Sequence, residues 1–289
     1  MTSNLLFFSA SLLLFPLFVF FKKLDFGHSP KSEIPNPKLE NPCSTKNTAF
    51  KEGEELVYKI YYNWGFVWLS AGEMTFRVMD ADDQYHFSMT GETYTSYDWF
   101  FKVRDYYDTW VQKDNLLPIR SIRNVQEGKY TLYDDITFDQ SRQTCYNEHG
   151  RSKEKLKEYN HFKIAPCMHD MLSILYYARN LEFSNLKEGA VIPIKIFVDK
   201  DTWPLQVKYK GKSPGKHVKG LGKFNTLQFS PEVIAGNVFP KGAELNVWVT
   251  DDQNRLPLII ESPLSVGSAK AVLKSYKSLR HPLTAKVGR

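Results

Sequence analysis

The chain is short of the residue spacings on which most cofactor and hydrolytic chemistry depends. Its 289 residues include three cysteines, Cys43, Cys145 and Cys167, with no C-x-x-C and no paired Cys/His cluster, which excludes the usual zinc frameworks. Gly-rich phosphate loops, a nucleophile elbow and an H-E-x-x-H stretch are also missing, so nucleotide-binding, α/β-hydrolase and zincin readings have nothing to stand on. No metal and no cofactor is expected. Internal repeats and long structureless segments are absent too, which favours one continuous folded unit over two. The excess of one charge sign is small: the net charge is +6, and no nucleic-acid partner is expected from it.

Long apolar runs are limited to one. Leu5 to Phe21 is an apolar stretch with Ser9 and Ser11 within it, and it is followed by Lys22-Lys23. Its seventeen residues are short for a membrane-spanning helix, which needs about 20, and suit a signal-peptide core better. No Lys or Arg precedes it and no small-x-small cleavage site follows, so residues 1–23 are read as a signal peptide or an N-terminal anchor. Export of the rest is expected, to the periplasm or the outer-membrane periphery. Residues 24–49 form a linker marked by Pro30, Pro35, Pro37 and Pro42. Cys43 lies well beyond the apolar run and lacks the small apolar box of a lipoprotein cysteine. In an exported chain one disulfide is expected. Cys43 with Cys167 would tie the tail to the start of a predicted helix, and Cys145 with Cys167 is the competing pair.

What the chain has in quantity is aromatics, sixteen Tyr and twenty Phe among them, and these favour strands. Period-2 alternation predicts strands near 55–62, 73–79, 84–94, 103–112, 119–126 and 129–139, then near 191–198, 205–209, 222–230, 245–250, 256–261 and 266–274. The clearest turn is Asp251 to Asn254: Leu245, Val247 and Val249 alternate with Asn246, Trp248 and Thr250 before it, and Leu256 to Ile260 resume an apolar run after it. One helix is predicted near 168–181, capped at His169-Asp170, with Met168, Met171, Leu172, Leu175 and Ala178 at helical spacing. The polar stretch 148–160 reads as a loop or a short charged helix. The fold expected is mainly β: large curved antiparallel sheets forming an open barrel or sandwich over residues 50–279, with a frayed basic tail at 280–289.

Several segments together resemble the bacterial family of domain of unknown function 3108. They are Phe50-x-x-Gly53-Glu54-x-Leu56-x-Tyr58, Tyr62-Asn-Trp-Gly65 with Ala71-Gly72-Glu73, and Val103-Arg-Asp105. Asp170-Met-Leu-Ser173 with Tyr176-Tyr-Ala-Arg-Asn180, and Trp248-Val-Thr-Asp-Asp252 with Arg255-x-Pro257, are the most specific. The Tyr-Asn-Trp-Gly form is similar to the Bacteroidetes branch. The resemblance implies a cell-envelope protein built of antiparallel strands, and it implies no reaction and no catalytic residues.

Candidate sites are therefore weighed on their residues. Aromatics crowd 58–68 and 94–110, the second interleaved with Asp98, Asp105 and Asp108. Ligand-binding candidates are Tyr62, Trp64, Trp68, Tyr97, Trp99, Tyr107 and Trp110; alternating aromatics also simply fill the interior of a curved sheet. Two functions follow. One is a non-enzymatic binding module for a lipid, a lipid-linked glycan or an outer-membrane client, held in a concave sheet face. The other is a glycan-binding or glycan-cleaving protein using the carboxylates of 94–110. Cys167, His169 and His161 share no helix face that would make a catalytic pair, and Asp251, Asp252 and Arg255 are explained as well by a solvated turn as by a carboxylate mechanism. Lys208, Lys210, Lys212, Lys216, Lys219 and Lys223, with Gly211 to Gly215 among them, read as a basic hairpin tip for a membrane surface or as a solvated edge.

Overall fold

Alternation at a period of two governs the chain from Glu55 onward, and in the computed structural model it produces a single sheet of fifteen strands. The structure describes residues 43, 45–64, 67–183, 185–233, 243–265 and 267–288, with the side chain of Trp64 excepted. The expected signal peptide or anchor and most of the linker lie outside the described residues.

The first eight strands are β1 (Glu55–Trp64), β2 (Val67–Ala81), β3 (Gln84–Thr93), β4 (Val103–Gln112), β5 (Pro118–Glu127), β6 (Tyr130–Asp139), β7 (Thr144–Gly150) and β8 (Leu156–Lys163). After helix α1 (Ser173–Ala178) come β9 (Val191–Val198), β10 (Asp201–Val218), β11 (Gly222–Pro231), β12 (Asn246–Thr250), β13 (Pro257–Pro263), β14 (Ser268–Lys277) and β15 (Lys286–Gly288). Each of the first eight pairs antiparallel with its neighbour in sequence, and so do β9 to β14. The two meanders join where β1 pairs β14, giving the order β8–β7–β6–β5–β4–β3–β2–β1–β14–β13–β12–β11–β10–β9. The sheet is a large open barrel whose edge strands are β8 and β9.

The two edges approach each other without forming a ladder. Between them runs the segment before α1: Phe197 N–H donates to the His169 carbonyl at 2.8 Å, and Ile164 N–H to that of Gln143 at 2.9 Å. Phe162 packs on Phe197 with ring centroids 5.5 Å apart. Lys200 in the β9–β10 turn reaches Glu158 of β8 at 2.6 Å, and Asp199 in that turn meets Arg123 of β5 at 2.6 Å. Charge pairs and one inserted segment thus close the gap that backbone pairing leaves open.

Leu56, Tyr58 and Ile60 of β1 belong to the buried face, with Met74, Phe76, Phe87, Met89 and Tyr107 beside them. Helix α1 sits inside this concave face, its Tyr176 ring stacked on Phe87 at 3.9 Å and edge-on to Phe50 at 5.1 Å. The helix is shorter than the 168–181 that spacing predicts. Cys167 holds a positive φ of 58° and His169 is drawn into a bridge with Ile196, so no helix begins before the Asp170 carboxylate accepts from Leu172 and Ser173 N–H. Cys43 and Cys167 are joined in a disulfide across 124 residues, and Cys145 is a buried free thiol.

Three further differences have physical reasons. The polar stretch at 148–160 supplies parts of β7 and β8; its exposure at most positions is that of an edge strand wet on both faces, not of a loop. No hairpin tip forms at Gly211–Gly215, because β10 continues to Val218 through bulges at those glycines and turns at Lys219–Leu221. Its lysines are held along the sheet: Lys210 on Glu244, Lys212 on Asp251, Lys216 over the Trp248 ring and Lys219 over Tyr61. The C-terminal residues do not fray either, since β15 pairs with β11.

Candidate functional site

A largely aliphatic cavity of about 250 Å³ lies between α1 and the concave face of β9 to β13, with Tyr58, Phe76 and Phe229 among its walls. Its walls follow from strand alternation. Ile192, Ile194 and Ile196 of β9 point in while Val191, Pro193 and Lys195 point out. Leu205 and Val207 of β10, and Leu245, Val247 and Val249 at β12, continue the lining. Met171, Ile174, Leu175 and Ala178 of the helical segment close the far side, with Leu181 and Phe183 beyond it. Several of these side chains, Ile194, Leu205 and Val247 among them, are only half-buried, so apolar surface faces the space.

Few polar groups reach the lining. The Tyr58 hydroxyl donates to the Pro257 carbonyl at 2.7 Å. Arg179 is held in a bidentate pair with Glu54, at 2.5 and 2.9 Å, and donates to the Asn254 carbonyl. Arg255 lies 5.3 Å over the Phe183 ring and 3.8 Å from Asp251, whose carboxylate has a closer partner in Lys212 at 2.9 Å. Glu232 sits exposed at the end of β11, accepting from Gln206 N–H.

The Asp251–Arg255 turn is structural in its contacts. Asp252 accepts from Thr250, from Asn254 N–H and from Ala285 N–H, while Asn254 donates to the carbonyls of His281 and Pro282. Asn180 at the end of α1 accepts from Thr48 and Ala49 N–H, and His281 contacts the Thr48 carbonyl. One polar latch thus joins the segment before β1, the end of the helix, the turn and the chain's last residues.

The other half of the interior carries a buried polar network among apolar side chains. Asp105 and Glu127 are buried side by side on adjacent strands, where two neighbouring carboxyls do not both ionise without a large cost. Burial pushes the Asp105 carboxyl up to about 7, against the opposing Gln126 N–H, and burial together with Asp105 raises Glu127 as well. Arg123 joins Asp134 and Asp199, both at 2.6 Å. Burial opposes ionisation of Asp134, but Arg123, His149 and Asn147 outweigh it and hold its carboxyl well below the usual range. His169, pushed down to about 3 by burial, stays neutral against the Ser173 hydroxyl. Among the described residues no group of three or more His, Cys, Asp or Glu is placed to hold a metal ion.

Of the seven aromatic candidates, the six with described side chains do not line the cavity. Tyr62 and Tyr107 are buried in the sheet interior. Trp110 stacks on His86 at 4.3 Å with Arg120 beyond it, Tyr97 is half-buried in the 3-10 turn Thr95–Tyr97, and Trp68 and Trp99 are exposed. Asp98 is bound to Arg104 and Asp108 to His86, so the carboxylates of this region converge on no shared cleft. Cys167 is occupied by its disulfide and His161 lies exposed on β8, apart from buried His169. The cavity residues that sequence reasoning left out, chiefly Ile192, Ile194, Leu205 and Val207, carried a signal as an inward period-2 face. That signal does not distinguish a face packed on protein from one facing a void.

The family model for a protein of unknown function, DUF3108, matches residues 57–274. No curated protein matches the chain. Among solved structures, a beta-barrel-like protein of the domain of unknown function DUF1849 from Brucella abortus aligns with a TM-score of 0.54 at 12% identity, over 80% of this chain and 99% of that one. At such identity the likeness is one of fold.

Proposed function

The chain belongs to the DUF3108 family, and we propose that it is a non-enzymatic cell-envelope protein holding an apolar or amphipathic ligand inside its curved sheet. The observation that carries this reading is the aliphatic lining of the cavity. Each methylene moved from water into such a space contributes about 0.8 kcal/mol, so an acyl chain is retained without any specific polar contact. The volume lies just under the ~300 Å³ lower range of small-molecule sites and suits a single chain, not a whole phospholipid. Arg255, whose carboxylate partner is long, and exposed Glu232 are the groups that would orient a polar end. A lipid, a lipid-linked glycan and an acylated outer-membrane client all offer that chemistry. The disulfide supports export to an oxidising compartment, as does the apolar run at residues 5–21. The glycan reading draws less support, since the carboxylates of 94–110 are paired or buried.

Native mass spectrometry of protein purified from its own host, with extraction of whatever travels with it, tests the proposal. An acyl-bearing adduct of constant mass is the expected result. Ligand-free protein in repeated preparations, together with no saturable binding of a fluorescent fatty acid, would overturn it.

A further inference from the structure

One rim of the barrel carries an exposed apolar fringe. Val67, Trp68 and Leu69 stand exposed at the start of β2, and Trp99 and Phe100 between β3 and β4 are 84% and 50% exposed. These tips are neighbours: Tyr94 N–H donates to the Ala71 carbonyl, and Gly128 N–H in the β5–β6 turn donates to that of Lys102. Burying none of this surface in a folded chain has a cost in solubility, and such fringes mark surfaces with a use.

Charge says which use. Of the acids near the fringe, Asp98 pairs with Arg104, Glu73 with Lys274 and Glu261 with Lys270, while exposed Glu92 accepts from the Tyr106 hydroxyl. Lys270 also lies 4.9 Å over the Trp68 ring, and Lys102 and Lys129 are exposed at the adjoining tips. Protruding Trp and Phe flanked by lysine match the water–bilayer boundary, where aromatic rings sit at headgroup depth and cations meet anionic lipid.

The ladder places the cavity at the same rim. Asn63 at the end of β1 pairs with Ser268, Ser268 with Pro263, Asn246 with Glu261, and Phe229 near the end of β11 with Val247. Pro231, Glu232 and Leu245, which line the cavity, therefore lie on the edge that bears Trp68 and Trp99. We propose that this rim docks on an anionic lipid bilayer by seating Trp68, Leu69, Trp99 and Phe100 among the headgroups, with the cavity's β11–β12 end turned toward the membrane. The inference deepens the ligand-binding reading by naming the surface from which the ligand comes.

The test reads contact at the tip itself, in the full chain, so that membrane binding by residues 1–23 does not mask it. Ser96→Cys, exposed beside the fringe, and Asp114→Cys, exposed at the opposite rim, each accept an environment-sensitive fluorophore; Cys145 is buried and the other two cysteines are bridged. With phosphatidylglycerol–phosphatidylcholine vesicles, the label at 96 is expected to shift to the blue and the label at 114 not to. Adding Trp99→Ser and Phe100→Ser, both solvent-exposed, should abolish the shift at 96 while fatty-acid binding stays within twofold of the parent. An unshifted label at 96, or a shift that survives the double substitution, overturns the proposal. So does a shift without vesicles that grows with protein concentration, which would assign the fringe to a second copy of the chain. Loss of fatty-acid binding in the parent protein with the shift intact would sink the cavity reading alone.

Discussion

Arg179 and Glu54 are 4% and 0% exposed in their side chains, and their bidentate contact is completed by the Asn254 carbonyl. Such a pair contributes little net stability over an apolar replacement, yet removing one member leaves an uncompensated charge. Glu54→Ala is therefore expected to cost about 3–5 kcal/mol in urea unfolding, and Glu54→Leu with Arg179→Met to recover most of it. Equal losses for the single and double variants would refute this. Asp105 and Glu127 pose the opposite problem. Their carboxyls are raised, so the folded chain keeps protons that the unfolded chain releases above about pH 4. Stability must fall as pH climbs from that value toward 7 and beyond, by up to about 1.4 kcal/mol per pH unit for each retained proton. Asp105→Asn with Glu127→Gln removes both titrations, and its urea midpoint should change less than that of the parent between about pH 5 and about pH 8. A slope equal to the parent's would count against the retained protons. Consecutive strand residues face opposite sides of a sheet, so Arg104 meets Asp98 and Asp105 turns inward to Glu127.

Strands that bury one face were the legible ones: β3 and β4 alternate cleanly, and their predicted limits lie within a residue of those observed. Strand β8 escaped because an edge strand need not alternate, and Leu156–Lys163 is exposed on most positions. The mid-strand glycines of β10 imitate a turn in sequence and are bulges in the sheet. The Asp251–Asn254 turn was readable as a turn, but its grip on the distant C-terminal segment was not, since backbone acceptors and donors leave no trace in residue type. That grip is measurable. Asp252→Ala removes acceptors for Thr250, Asn254 and Ala285, and is expected to destabilise the protein by about 1–3 kcal/mol. Amide exchange should show β15 losing protection before the rest of the sheet, and uniform loss across all strands would argue that the tail is not a separate element.

At the scale of the whole molecule, one curved sheet encloses two unlike interiors, a polar network under β4 to β7 and an aliphatic cavity under β9 to β13, with α1 between them. Arg123 stands on that boundary, bound to Asp134 and Asp199 and in contact with the Met171 sulfur that lines the cavity. An open barrel closed by such contacts can hold a void without collapsing on it, because the surrounding walls are fixed by their own ladders. The void should therefore be fillable from within. Ile194→Trp, on a half-buried position of β9, places an indole where an acyl chain would lie. Overpacking costs about 1–3 kcal/mol where there is no room, whereas a void of this size accepts the ring with little loss. Wild-type protein at a fatty-acid concentration about 100 times Kd gains roughly 2.7 kcal/mol of stability by mass action. The variant is expected to fold with an unliganded thermal midpoint at or above that of the wild type, and to show no upward shift on adding the fatty acid. A variant that folds and still shifts as the wild type does would place the ligand elsewhere, and one whose unliganded midpoint drops sharply would mean that the cavity has no space to give.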